Sequence, residues 1–330
     1  MKLSTQVRMG DYHHDITYDS RLWFIGSCFA GNIGEKFAEI KIPAVINPFG
    51  TLFSPHSVNE ALMRVAEKRY FTADDFFERD GVYMSMDLHS THSYGSVDEA
   101  LCTLNRLIDT LHKSLAEATH LFITYGTSQV YRYNTTGRLC ANCHKIPSRF
   151  FTIEQMTVEK IYNGAMEVER ALVAINPALK IYYTVSPVRY MGDGAPQSSY
   201  VKARLFCALE RVLGESEVAR YIPSYEIMMD ELRDYRYYGE DMIHPSGVAV
   251  DYIWERIQEA FFDKDTVVAS GVIKSVMKAV SHRPQNPDGE QYRLFCKKNI
   301  DVIEDMCSRY PSLNMEGEKA FFTSKLVVKD

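Results

Sequence analysis

Three side chains that together could carry out nucleophilic chemistry stand far apart in the sequence, each at a predicted junction between a strand and a helix. Ser27 comes directly after an apolar run and a glycine, and Asp241 and His244 lie three residues apart near the other end. A serine hydroxyl is a poor nucleophile until a neighbouring base takes its proton. An imidazole can be that base when a carboxylate holds its other nitrogen. The three residues therefore predict acyl transfer through Ser27, with His244 as the base and Asp241 as its partner.

Each part of this set also has a purely structural explanation. Serine is common at the N-cap of a helix, and an Asp–His pair in a loop is often only a solvated ion pair. An early Gly-Ser combined with a late Asp-x-x-His is more specific than either part alone. Cys28 is a second candidate nucleophile, because a thiol at a helix N-terminus can be activated, although cysteine is more often a small buried residue there.

The elements that must position these residues follow an alternating pattern of apolar β-type runs and helical periodicity. The predicted strands are 22–25, 44–46, 120–124, 180–185 and 220–223, and a loop is predicted from 125 to 147. The predicted helices are 31–40, 56–68, 97–116, 153–175, 200–213 and a segment from Pro245 through Phe262. This alternation is typical of a parallel sheet with helices on both faces, which binds its ligands at the carboxyl ends of the strands.

The last part of the chain departs from this alternation. It is more basic, and helices are predicted at 266–280 and 291–309. We therefore predict a main domain of residues 1–262 and a C-terminal helical extension, residues 263–330, packed on it. A tail that contacts a partner instead is the alternative.

Composition excludes several classes of function. The 37 Lys and Arg against 43 Asp and Glu give a net charge of −6, without the basic face that nucleic-acid binding needs. No apolar stretch is long enough to span a bilayer, and residues 1–15 lack the apolar core of a signal peptide. Seven cysteines without a framework spacing favour reduced thiols. We expect a cytoplasmic protein with no nucleic-acid or membrane partner, and the sequence indicates no oligomeric state.

Residues 140–144, Cys-Ala-Asn-Cys-His, match the pattern for covalent haem attachment. Haem attachment of this kind belongs to exported proteins, and a zinc site would need a fourth ligand that is not evident. We therefore expect no metal and no cofactor. The stretch is predicted to be a loop beside the active site, in which His144 and Lys145 could contact substrate and Asn142 could orient an oxygen.

Several short blocks resemble the GSCFA-domain proteins, which belong to the SGNH hydrolase group. In chain order they are GSCFA (26–30), NPFGT (47–51), YGTSQVY (125–131), NCHK (142–145), SPVR (186–189) and DMIHPS (241–246). The resemblance covers residues 20–262. It implies that Ser27 is the nucleophile and that Asp241 and His244 supply acid and base. It also implies a three-layer α/β/α sandwich with a five-stranded parallel sheet.

The resemblance further implies an oxyanion hole. SGNH enzymes use the N–H of the nucleophile, a glycine N–H and an asparagine side chain. Ser27 and Gly50 match the first two donors, whereas Ser128 stands where the asparagine would be, and Asn142 is the alternative third donor. Further candidate contacts to substrate are Asn47, Gly126, Thr127, Gln129, His144 and Lys145.

Together these residues predict a cofactor-independent esterase that acts on a small-molecule or saccharide ester. Acetyl is the first choice for the acyl group, and a carbohydrate is a candidate for the alcohol. An acyltransferase with the same triad is one alternative. A non-catalytic binding module on the same fold is the other, and the presence of all three triad residues argues against it.

Overall fold

The structure is a computed structural model that describes residues 5–10, 12 and 14–326. Its strands are β1 (Leu22–Gly26), β2 (Ala44–Ile46), β3 (Phe77–Arg79), β4 (Val82–Met84), β5 (His120–Tyr125), β6 (Gln129–Tyr133), β7 (Leu139–Cys140), β8 (Phe151–Gln155), β9 (Lys180–Val185) and β10 (Ala219–Tyr221). Its helices are α1 (Cys28–Glu39), α2 (Pro55–Ala66), α3 (Val97–Ala116), α4 (Val158–Ile175), α5 (Ala195–Glu215), α6 (Ser224–Glu226), α7 (Gly247–Phe261), α8 (Lys264–Val280), α9 (Glu290–Arg309) and α10 (Glu316–Ser324). None of the helices in the described ranges combines the length and apolar character needed to cross a bilayer.

The five strands predicted from the apolar runs form one parallel sheet in the order β10-β9-β5-β1-β2. Leu22 pairs with His120, and Tyr125 pairs with Val185. Strands β1 and β5 are buried at every position, as is β9 after Lys180. Strands covered on both faces read as continuous apolar runs, which is why the sequence identified them. The predicted α/β fold with a five-stranded parallel sheet is confirmed.

Helices cover both faces of this sheet. Trp23 and Ile25 point to one face, where they join the buried core formed with α2, α3, α4 and α5. On the other face the rings of Phe24 and Phe122 stack 4.6 Å apart. Gly34 of α1 lies against the Phe24 ring, since a Cβ there would be 3.1 Å from it. The three predicted layers are therefore present.

The chain divides into two compact units. The first unit comprises the described residues up to Gly10 together with 22–34 and 45–254, and it contains the parallel sheet except for Ala44, the first residue of β2. The second unit comprises the described residues of 11–21, 35–44 and 255–330. Helices α8, α9 and α10 belong to this second unit and form the predicted C-terminal helical region.

Several elements differ from the sequence prediction. The segment 125–147, predicted as a loop, contains β6 and β7, and the first residues of the predicted helix 153–175 belong to β8. Strand β6 pairs antiparallel with both β7 and β8. These strands are short and half-exposed, so they lack the apolar runs of the central sheet. The hairpin of β3 and β4, and helix α10, were not predicted, and α1 begins at Cys28 rather than near residue 31.

Candidate active site

Ser27 lies in the turn between β1 and α1, and the shape of this turn depends on two neighbours. Gly26 has a φ of +133°, and a Cβ there would lie 2.1 Å from the carbonyl oxygen of Thr124, so only glycine fits. The Asn47 Oδ1 accepts the N–H of Gly26 at 2.9 Å, and its Nδ2 donates to the Ser27 carbonyl at 3.4 Å. Ser27 is 1% exposed, and its hydroxyl accepts the Phe29 N–H at 3.3 Å. The Ser27 hydroxyl therefore caps the N-terminus of α1.

Asp241 and His244 form a hydrogen-bonded pair on a tight turn. The Asp241 Oδ2 lies 2.5 Å from the His244 Nδ1, and its Oδ1 accepts the N–H groups of His244 and Ile243, each at 2.9 Å. These bonds, above all the one from the His244 N–H, lower the pKa of Asp241 to about 2. The carboxylate is thus ionised at neutral pH and fixes the imidazole through Nδ1. The Nε2 is left for another partner.

Ser27 and His244 line the same cavity, whose volume is about 510 Å³. The other lining residues with a hydroxyl or amide side chain are Ser54, Ser57, Thr127, Gln129, Tyr131, Asn142, Ser186 and Tyr190. Within the described part of the chain, no hydrogen bond joins the Ser27 hydroxyl to the His244 imidazole. The predicted nucleophile and base therefore share a cavity without being in direct contact in the free protein.

Two predicted oxyanion donors are used elsewhere. The Gly50 N–H donates to the Asn47 carbonyl at 2.7 Å and closes a turn in which Gly50 has a φ of +77°. Ser128 is fully buried, and its hydroxyl donates to Gln155 Oε1 at 3.4 Å. Neither Gly50 nor Ser128 lines the cavity. Contrary to the prediction, neither offers a free donor to the cavity.

The N–H of Ser27, which is also a predicted oxyanion donor, is engaged as well. It donates to the Thr124 carbonyl at 3.1 Å and so extends the pairing of β1 with β5. The next N–H, that of Cys28, is the first of α1 and donates to no backbone carbonyl among the described residues, as is usual in a first helical turn, although it does face its own thiol. The Cys28 N–H is therefore the first backbone N–H after Gly26 that is not held by a carbonyl of the sheet.

Asn142 is the predicted donor that the structure leaves available. It lines the cavity, and its Oδ1 accepts the His144 N–H at 2.7 Å. This bond orients the amide, and Nδ2 has no partner elsewhere in the described residues. Of the side chains predicted as the third donor, Asn142 rather than Ser128 faces the cavity.

The predicted substrate contacts divide into two groups. Gly126, Thr127 and Gln129 line the cavity. His144 and Lys145 do not: His144 is buried, and its Nε2 lies 2.8 Å from the Ser85 carbonyl. Burial lowers the pKa of His144, as expected for a neutral ring held inside the protein.

Asn47, the remaining predicted contact, is not a lining residue. Its side chain instead forms hydrogen bonds with the backbone of the Gly26–Ser27 turn. In the free protein it therefore positions the backbone of Ser27 and does not line the cavity.

Lys202 is a buried cation that the sequence analysis missed. It lies on α5, is 3% exposed, and its Nζ donates to the carbonyls of Gly126 at 2.8 Å and Ser186 at 2.7 Å. These two carbonyls directly follow β5 and β9, so the amine ties the ends of two central strands together. Burial lowers the pKa of Lys202 to about 7. The sequence signal that could have indicated its burial is its position on the apolar face of α5, with Val201 and Leu205.

Three free thiols, those of Cys28, Cys140 and Cys143, also line the cavity. Burial raises the pKa of each one, that of Cys140 to about 11. The Phe29 and Cys28 N–H groups and the Lys202 charge offset this only in part at Cys28. In the described ranges, no group of three or more His, Cys, Asp or Glu side chains is placed to hold a metal ion.

Comparison with protein families identifies the chain. The model of the GSCFA family matches residues 21–257. The chain belongs to the GSCFA family. A second model, described as the C-terminal domain of GSCFA domain proteins, matches residues 273–328. A comparison with curated proteins gives no match. In this GSCFA protein, Ser27, Asp241 and His244 all lie within the first matched region.

Proposed function

We propose that this GSCFA protein is a serine esterase of the SGNH type, which cleaves acyl esters with Ser27, His244 and Asp241. One observation carries the proposal. The Ser27 hydroxyl and the His244 imidazole line one cavity, while the Asp241 carboxylate holds the His244 Nδ1 at 2.5 Å. The nitrogen that remains, Nε2, is the one that can receive the serine proton.

The reaction then follows in two steps. Ser27 Oγ attacks the ester carbonyl while its proton moves to His244 Nε2. The tetrahedral intermediate collapses, and the alcohol leaves with that proton, so that an acyl-enzyme remains. Water attacks the acyl-enzyme with His244 again as the base, and the acid is released. Asp241 stays ionised throughout and stabilises the imidazolium.

Substrate must draw the Ser27 hydroxyl away from its resting partner. In the free protein the hydroxyl accepts the Phe29 N–H at 3.3 Å, at the long end for a hydrogen bond. Rotation of the side chain toward His244 exchanges this weak bond for the one that chemistry needs. Nucleophile–base contacts are often loose before substrate binds and tighten in the complex.

The Cys28 N–H and the Asn142 Nδ2 are the proposed oxyanion donors. The N–H that follows a nucleophile at a strand-to-helix turn is a common donor in hydrolases, because the start of the helix leaves it free. The Asn142 amide is held by its bond to the His144 N–H and needs no reorganisation. Loss of one such donor typically costs about a hundred- to a thousandfold in kcat.

Ser27 is favoured over Cys28 as the nucleophile. Burial raises the pKa of the Cys28 thiol, so the thiolate that would attack is scarce at neutral pH. Serine needs no ionised resting form, because His244 takes its proton during attack.

An acyltransferase with the same triad is the second candidate. The volume of about 510 Å³ is large enough to hold an acceptor alcohol beside an acyl group. Turnover that depends on added alcohol, with slow hydrolysis in its absence, would favour this alternative.

The test is hydrolysis of p-nitrophenyl esters by wild-type protein and two matched variants. Ser27→Ala should lose activity by at least about a thousandfold, because no nucleophile remains. Ser275→Ala, which alters an exposed serine of α8 outside the cavity lining, should stay within a few-fold of wild type. Equal activity of Ser27→Ala and wild type would refute the proposed role.

A further inference from the structure

One wall of the cavity is the inner face of the small antiparallel sheet. Tyr131 of β6 lies opposite Cys140 of β7 in the strand pairing, and both line the cavity. Ala141 and Cys143 continue this wall beyond β7. Most side chains of this wall are apolar or weakly polar, and Gln129 and Asn142 are its polar members.

Other lining residues add to this apolar surface. They are Phe53, Val188, Tyr190 and Ile243, of which Phe53 and Tyr190 are exposed. An acetyl group would leave most of the apolar lining in contact with water. A longer chain would cover it, and each methylene removed from water contributes to binding.

The cavity also lacks charged partners for an acidic ligand. Among the described residues that line it there is no Lys, Arg, Asp or Glu. The Lys202 amine lies behind the lining, bonded to the carbonyls of Gly126 and Ser186. A phosphate or carboxylate placed here would lose water without gaining a cationic side chain of the lining in return, which is costly.

We infer that the cavity takes neutral esters with an apolar acyl chain of roughly six to ten carbon atoms. A dry apolar cavity of about 150 Å³ already holds the six carbons of benzene. At about 510 Å³ this cavity therefore has room for such a chain together with the rest of the ester, with the ester carbonyl at Ser27. This inference rests on the proposed function for the position of the reacting carbonyl. It replaces acetyl, the acyl group favoured from the sequence.

The first test is a series of p-nitrophenyl esters from acetate to decanoate. In wild-type protein kcat/KM should rise roughly threefold with each added methylene until the cavity is filled. Val188→Phe should lower kcat/KM for the octanoate ester more than tenfold and leave the acetate ester within about twofold. Met191→Phe, in the same loop but outside the cavity lining, should match wild type. Highest kcat/KM with acetate, or an equal loss for all esters in Val188→Phe, would overturn the inference.

The second test does not depend on catalysis or on a variant. Calorimetry on wild-type protein compares 2-decanone with 2-hexanone, neutral ketones that resemble esters but cannot be hydrolysed, and with decanoate. 2-Decanone should bind more than tenfold tighter than either. Equal binding of the two ketones, or tighter binding of decanoate, would overturn the inference even if esters are hydrolysed. Tight binding of 2-decanone without any ester turnover would support the inference and refute the proposed esterase.

Discussion

The Ser27 hydroxyl has two uses that compete. In the free protein it caps α1 through the Phe29 N–H, and in the proposed reaction it must turn to His244. An N-cap is worth about 1 kcal/mol, which is small beside the binding energy available from an apolar substrate. The structural and the catalytic readings of this serine are therefore compatible, and one residue can serve both.

Asp241→Asn tests the acid–base pair. An amide can donate to Nδ1 and so favour the tautomer in which Nε2 carries the proton and cannot act as a base. We expect kcat to fall by about ten-thousandfold with little change in KM. Glu240→Gln, a change at the neighbouring exposed carboxylate, is the control and should leave kcat unchanged. Steady-state kinetics on both variants measures these values. An Asp241→Asn protein with wild-type kcat would show that Asp241 has no role in the mechanism.

The pKa of Asp241 also carries a stability prediction. Its value of about 2 lies below the ordinary value of 3.8, so the folded state favours the ionised form. The stability gained is fully present above about pH 4 and is lost as the pH falls toward 2. Asp241→Asn should therefore show a flatter loss of stability than wild type between pH 4 and pH 2 in urea titrations. Parallel curves for the two proteins would contradict this assignment.

At the scale of elements, the sequence predicted the strands that are buried on both faces. The five strands of the parallel sheet carry continuous apolar runs, whereas β6 and β8 expose one face. There Arg132 and Glu154 form a cross-strand ion pair, with Nε and Oε1 2.5 Å apart. Charged residues of this kind break the apolar pattern, so the sheet that forms a cavity wall could not be recognised from periodicity.

The candidate site was predictable to the same limited degree. Ser27, Asp241 and His244 follow from residue type and spacing. The predicted Gly50 and Ser128 donors are not free, because hydrogen bonds to Asn47 and Gln155 take up their donor groups. The first bond depends on the geometry of a turn and the second on a residue 27 positions away, and a short motif specifies neither. Lys202 was missed because a single lysine in a helix is usually solvated.

Lys202→Met tests the bridge between β5 and β9. Burial lowers the Lys202 pKa from 10.5 to about 7, so between pH 7 and pH 10 the unfolded chain binds more protons than the folded one. Stability should then rise with pH in this window. Lys202→Met should lose that rise, and it should also lower kcat because the carbonyls of Gly126 and Ser186 are no longer held.

Urea denaturation at pH 7 and at pH 9.5 measures the effect. Lys160→Met, a change at an exposed lysine on α4, is the control and should keep the wild-type pH dependence. The same rise with pH in Lys202→Met and wild type would show that the buried amine does not titrate as described.

At the scale of the whole molecule, the C-terminal helices share a compact unit with two segments from the N-terminal part of the chain. Within this second unit, the Lys41 Nζ lies 2.5 Å from Glu318 Oε1, and the Ser312 hydroxyl donates to Asp19 at 2.6 Å. The Tyr18 ring, which is buried, lies 5.0 Å from the Tyr310 ring. The unit is therefore assembled from both ends of the sequence.

Removal of residues 263–330 should consequently do more than remove an appendage. It takes away the partners of Tyr18 and Lys41 and exposes apolar surface in the segments that remain. We expect Tm to fall by more than about 10 °C, or soluble protein to be lost. Glu318→Gln, which removes only one ion pair, should lower Tm by no more than a few degrees. A truncated protein with the wild-type Tm would show that the second unit does not depend on these helices.

The central claim, that Ser27 is a nucleophile activated by His244, is tested most directly by covalent labelling. The protein is incubated with a fluorophosphonate, digested, and mapped by mass spectrometry to the modified residue. The proposed mechanism predicts a single adduct on the Ser27 hydroxyl, formed at least about a hundredfold more slowly in His244→Ala. An adduct on Cys28, or labelling of Ser27 at the same rate in His244→Ala, would contradict it.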